Sequence, residues 1–179
     1  MSTIDIEVKD PDVQRFLSKF HVPPISATSA LFLFAAVLKE NGHDAFRRDE
    51  MLLLIERCRR QGIHRDMLKE FKFKDTGIFK YSNDFDEAVQ MGKITGLFTT
   101  PSPGVDPRID IHGFDCQDII DQYHEFYFPM LHLMEMAGYK VCETNPNLEE
   151  YQSYVLEQQK LQAQRLATVV RKRSKSLCK

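Results

Sequence analysis

Apolar residues recur along most of this chain at helical spacing and in one short stretch at strand spacing, so a mainly helical fold with a single hairpin is expected. Asp10-Pro11 opens a short helix with Val13, Phe16, Leu17 and Phe20 on one stripe, and Pro23-Pro24 ends it. Ser26 or Thr28 is placed to cap the next helix, which runs through Leu31, Phe32, Phe34, Ala35 and Leu38 to Asn41-Gly42. Its apolar residues wrap almost all round, the pattern of a helix at the centre of a fold. The Asn-Gly pair supplies a left-handed stop.

Asp49 is the expected cap of a third helix, in which Met51, Leu54, Ile55 and Cys58 match the i, i+3, i+4, i+7 template. Arg57, Arg59 and Arg60 gather at its end, where cations complement the helix dipole. They read as a solvated, dipole-satisfied face in preference to a phosphate site. Gly62 closes the helix, His64 to Phe71 predicts a short one, and 72–81 reads as irregular. Ser82 or Asn83 caps a helix with Phe85, Ala88, Val89 and Gly92 in register. Ile94 to Thr100 then reads as a strand, Pro101 to Pro107 as a rigid turn, and Arg108 to His112 as a second strand.

Asp115 caps a long helix with Ile119, Tyr123, Phe126, Tyr127, Met130 and Met134 inward, which Pro129 should kink or split before Gly138-Tyr139 ends it. The last helix starts at Asn145-Pro146-Asn147, with Leu148, Tyr151 and Val155 on one face. That stripe fades after Val155 and resumes weakly at Leu166, Val169 and Val170. The expected organisation is one helical globular domain over 1–157, followed by a helical arm over 158–179.

The helices at about 28–41 and 49–61, and the run Ser82-Asn-Asp-Phe-Asp-Glu-Ala-Val-Gln-Met-Gly-Lys-Ile-Thr-Gly-Leu-Phe-Thr-Thr leading to Arg108-Ile-Asp-Ile-His, resemble a winged helix-turn-helix over about residues 28–112. The resemblance is one of element order. It departs from the family in the roughly twenty residues (62–81) between the second and third helices. A recognition helix needs Arg, Lys, Asn or Gln aimed at bases and phosphates. Here the first turn carries Asp84, Asp86 and Glu87, and only Gln90 and Lys93 suit a groove, so this helix is expected to meet protein.

Composition adds one strong signal. The chain has 179 residues, 42% of them hydrophobic, and a net charge of −2. Its last twenty residues hold seven cations (Lys160, Arg165, Arg171, Lys172, Arg173, Lys175 and Lys179) and no acid, so residues 1–159 sum to −2 − 7 = −9. Such asymmetry predicts an arm for a polyanion. Lys160, Arg165, Arg171, Lys172, Arg173 and Lys175 are the expected contacts to a nucleic acid backbone, independent of base sequence. No aromatic residue follows Tyr154 in the arm, which favours a duplex backbone or an acidic protein over stacking on single-stranded bases. A homodimer through the C-terminal helices, docking an acidic partner, is the alternative.

The other candidate chemistry is weaker. Asp110 and His112 share one strand face, with Asp106, Asp115, Cys116 and His124 nearby in sequence, and could serve a metal-dependent hydrolase. The spacing matches no named metal motif, and a polar outer face on a hairpin looks the same. No phosphate loop, dinucleotide fingerprint or flanked Cys–His pair occurs, so neither catalysis nor a cofactor is expected. The four cysteines lie far apart, which fits a reducing intracellular compartment. The most apolar run, Ala30 to Leu38, is too short to span a bilayer, and no membrane partner is expected.

Overall fold

The computed structural model describes residues 25–75, 80–101, 107–112 and 116–177. The expected helix after Asp10 and the turn residues 102–106 lie outside the described residues, as does Asp115. In chain order the elements are α1 (Ala27–Glu40), β1 (Ala45–Arg47), α2 (Arg48–Gln61), α3 (Arg65–Leu68), β2 (Lys74–Asp75), β3 (Lys80–Tyr81) and α4 (Asn83–Ile94). There follow β4 (Phe98–Thr99), β5 (Arg108–Ile111), α5 (Cys116–Gln122), a 3-10 turn (His124–Phe126), α6 (Tyr127–Met136) and α7 (Leu148–Leu177). The fold is mainly helical with a small antiparallel sheet.

Helix α1 is the hub. Ser26 caps it, its hydroxyl accepting from the Ser29 N–H at 3.0 Å, and Ala30, Leu31 and Leu33 to Leu38 are buried. Around it pack α4, α5 and α6. Edge-to-face aromatic contacts carry the packing from α1 into the sheet: Phe34 meets Phe46, Phe46 meets Phe98, and Phe98 meets Phe32, each pair at 5.7 Å between ring centres. Such pairs contribute about 1 kcal/mol each beyond burial. Gly92 in α4 lies beneath Phe98, where an added Cβ would come within 2.0 Å of the ring. Only glycine lets α4 and β4 approach so closely.

The hairpin is part of a larger sheet than the alternation predicts. Strand β1 adds to it, giving the antiparallel order β1-β5-β4 with Phe46 opposite Ile109 and Phe98 opposite Ile111. The strand expected over 94–100 is shorter, because α4 continues to Ile94 and only Phe98 and Thr99 pair. The stretch read as irregular holds a second, two-stranded pairing of β2 with β3. Helix α3 keeps only four of the eight residues expected to be helical.

Two other expectations are corrected. Asp49 does not cap α2: Arg47 occupies that position, and Asp49 sits in the first turn, where its charge suits the dipole. The long helix does break, but at Tyr123–Phe126, upstream of Pro129. Pro129 lies in the first turn of α6, where the missing N–H has no partner to lose.

A buried polar network fixes where α7 begins. Asn41, at the end of α1, donates to the Val37 carbonyl at 2.8 Å and accepts from the Cys142 N–H at 2.9 Å. Asn145 donates to Asn41 at 3.2 Å and to the Tyr127 hydroxyl at 3.0 Å, and Tyr127 donates to Glu40 at 2.6 Å. Burial, reinforced by the Glu40 carboxylate, pushes the Tyr127 phenol up to about 12. Satisfied on all sides, these groups hold the α7 N-terminus against α1 and α6. Tyr151 then buries its ring and donates to Glu135 on α6.

Candidate nucleic-acid interface

From that anchor α7 runs for 30 residues, about 45 Å at the helical rise. Its first two turns are docked: Tyr151 is buried, while Tyr154 and Val155 pack partly buried on the core. Then the chain leaves it, with Leu156 57% and Leu161 40% exposed. Lys160 is exposed at this departure point. Arg165, Arg171, Lys172, Arg173 and Lys175 all fall on the continuing helix, while their side chains lie outside the described residues, as does Lys179 altogether. At about 100° per residue, the positions of Lys160, Arg165, Arg171, Lys172 and Lys175 share an arc of about 140°, with Arg173 outside it. Leu166, Val169, Val170 and Leu177 take positions on the other side. Arg173 falls among them, so the arm is a basic helix whose cations are concentrated on one side and not confined to it.

Where α7 leaves, it borders a cleft of 300 Å³. Tyr154, Gln158 and Leu161 form one wall, and Gly62, His64 and Arg65 stand across from them. His64 starts α3 with left-handed backbone (φ 49°), unusual for a residue with a side chain. Its Nε2 lies 3.0 Å from Nδ1 of His132 on α6, and His132 in turn meets the Tyr154 ring edge-on. Burial, and then the charge of His132, pull His64 down to about 4. Burial likewise lowers His132, with Glu135 pulling it the other way. The pair is therefore neutral near pH 7, one ring donating to the other, and it pins the α2–α3 corner to α6. Sequence spacing cannot pair two histidines so far apart; the fold does.

Two of the three acids at the start of α4 are engaged internally, while Glu87 is exposed. Asp84 accepts from the Lys72 N–H at 2.8 Å, and Asp86 takes the Arg48 guanidinium through two nitrogens, at 2.5 and 3.2 Å. Gln90 and Met91 are exposed and Ile94 is 77% exposed, giving α4 a mixed outer face.

On the hairpin, Asp110 is 2.6 Å from Arg108, and His112 Nε2 is 2.6 Å from the Thr99 hydroxyl. His124 faces Glu125 at 3.5 Å. Among the described residues no three His, Cys, Asp or Glu side chains are grouped to hold a metal ion. Asp110 and His112 each contact a neighbour within the sheet, and Asp106 and Asp115 lie outside the described residues. Cys58 is buried and its thiol pushed up to about 11 by burial, whereas Cys116 and Cys142 are half-buried thiols. Among the described residues, no helix is long and apolar enough to cross a membrane.

No protein-family model, no curated protein and no solved structure matches this chain.

Proposed function

We propose that the protein is a non-catalytic regulatory or adaptor module whose basic C-terminal arm contacts the backbone of nucleic acid. The observation that carries this reading is the charge of the arm on a helix that outruns its core: seven cations without an acid, against −9 for the rest of the chain. Helix-end capping uses cations only in a last turn, and these span five turns. Lys160, Arg165, Arg171, Lys172, Arg173 and Lys175 act as point contacts to phosphates, releasing counterions as they bind. The globular part is winged-helix-like. Its support is the order α1, α2, α4 and hairpin, with the hairpin pairing back onto β1 between the first two helices. Within it α4 serves a protein partner: Asp84 and Asp86 are committed to the fold, and its outer face offers Glu87, Met91 and Ile94.

The test is fluorescence anisotropy of a labelled duplex of arbitrary sequence at low salt. The wild-type chain is compared with a variant carrying Arg171→Gln, Lys172→Gln, Arg173→Gln and Lys175→Gln. Glutamine keeps helix propensity while removing charge. The variant should lose more than about tenfold in affinity, from four lost phosphate contacts. Equal affinity of the two proteins contradicts it. A second reading draws on the apolar positions Leu166, Val169, Val170 and Leu177 along α7: a homodimer through these helices that binds no nucleic acid. Light scattering that finds a dimer, with no duplex binding at low salt, selects it.

A further inference from the structure

Where α2 gives way to α3, a groove of 670 Å³ opens on the surface, lined by Arg59 and Arg60 from the last turn of α2, Arg65 from α3 and Lys69 just beyond it. One carboxylate, Glu56, shares these walls, and Arg60 holds it at 2.6 Å. Among the described residues neither Arg65 nor Lys69 has an ion-pair partner. The Arg59 guanidinium lies 5.7 Å over the Phe73 ring at the groove's edge, which holds it by cation–π attraction. The local sequence is as lopsided as the arm: residues 57–74 carry seven cations (Arg57, Arg59, Arg60, Arg65, Lys69, Lys72 and Lys74) and two acids, Asp66 and Glu70, inside an otherwise acidic body.

The helix dipole accounts for Arg59 and Arg60, which sit at the C-terminus of α2. It does not account for Arg65 and Lys69, which follow Gly62 and come from another element. Folding brings them to the same groove, where like charges repel unless an anion enters. Three of the four cations are arginines, whose planar forks match phosphate oxygens two at a time. The space far exceeds one phosphate group and suits a run of them.

We propose that this groove is a second phosphate-binding track, holding the backbone of the same nucleic acid that the arm contacts. The inference rests on the arm reading for its partner. Continuity favours nucleic acid over an acidic peptide: Arg65 and Gly62 border both the groove and the smaller cleft whose far wall is Gln158 and Leu161 of α7. From Leu161 the next arm cation, Arg165, is one helical turn away, about 6 Å. The groove and the arm therefore lie at the two ends of one cleft, whose own walls carry Arg65 beside Asp66 and Glu125. His64, through its contact with His132, is a positioning residue for this corner.

Four full-length forms test it: wild type, the arm variant described above, Arg65→Gln with Lys69→Gln, and all six changes together. Anisotropy of a labelled arbitrary duplex is followed across a salt series, with circular dichroism to verify the fold. The groove variant is expected to bind several-fold more weakly and to lower the slope of log affinity against log salt by about 2, one per phosphate contact. The arm variant retains weak, salt-sensitive binding that the six-change form loses. Swapping the charges conservatively, with Arg65→Lys and Lys69→Arg, restores most of the affinity. Wild-type affinity and slope in the groove variant, beside lost binding in the arm variant, overturn the groove and leave the arm reading standing. The reverse pattern removes the arm and leaves the groove. If no form binds duplex but a polyglutamate peptide binds wild type and not the groove variant, the groove takes an acidic protein and the proposal falls.

Discussion

The start of α4 and the corner between α2 and α3 are both strongly charged, but they use their charge in opposite ways. At α4 two of the three first-turn carboxylates are tied down: Asp84 accepts a backbone N–H of the preceding segment, and Asp86 grips Arg48, while Glu87 is exposed. At the corner the balance is reversed, with four cations on one groove and a single carboxylate among them. The first arrangement closes the molecule on itself; the second leaves charge available to something outside it. A charged stretch becomes a candidate interface when folding fails to neutralise it, and sequence alone cannot make that distinction.

The largest effect is expected at α4. Gly92→Ala places a methyl group inside the Phe98 ring, so α4 must lift from β4, and a loss of about 3 kcal/mol or more is expected in chemical denaturation. Unchanged stability would mean that α4 and β4 are not packed as described. Acidification acts next, on the corner's attachment. His64 has a folded value near 4 against an ordinary 6.5, so the unfolded chain takes up the proton first. The stability this neutral pair supplies is complete above about pH 6.5 and falls as pH drops toward 4, by about 2 kcal/mol between pH 7 and pH 5 from His64 alone. His64→Asn, which tolerates left-handed backbone, should flatten that profile in urea melts taken across the pH range.

Smaller effects sharpen the contrast. Asp86→Asn loosens the half-buried pair with Arg48 and weakens the charge at the α4 N-terminus, for about 1 kcal/mol of stability. Duplex affinity should not fall with it. The mirror experiment is Arg65→Gln with Lys69→Gln, which should change the thermal midpoint negligibly, within about 0.5 kcal/mol, while weakening binding. If the two variants exchanged these behaviours, charge at the corner would be structural and charge at α4 functional.

Much of the helical scaffold was legible because its signals are local. The all-round apolar pattern of Leu31 to Leu38 identified the central helix, and Asn41-Gly42 its end, with Gly42 at φ 82°. The inward Ile109 and Ile111 of the hairpin followed from alternation. What was missed depends on distant partners. Strand β1 is three residues with one buried side chain, Phe46, and becomes a strand only because β5 lies beside it. The long helix breaks at Tyr123 to Phe126, where no proline or glycine marks it, while Tyr123 donates to Ser29 on α1. At the candidate interface, the arm cations were legible as a run of one sign. Arg65 and Lys69 were not, since they join Arg59 and Arg60 only after α3 folds back, and His64 finds His132 only in the packed core.

The most direct measurement is the salt dependence of duplex affinity for the unaltered full-length chain, taken on two unrelated sequences. With about six or more phosphate contacts, at 0.9 per contact, the slope of log affinity against log salt should be about −5 or steeper and the same for both duplexes. Absence of binding at low salt, or an affinity that hardly responds to salt, would contradict the account.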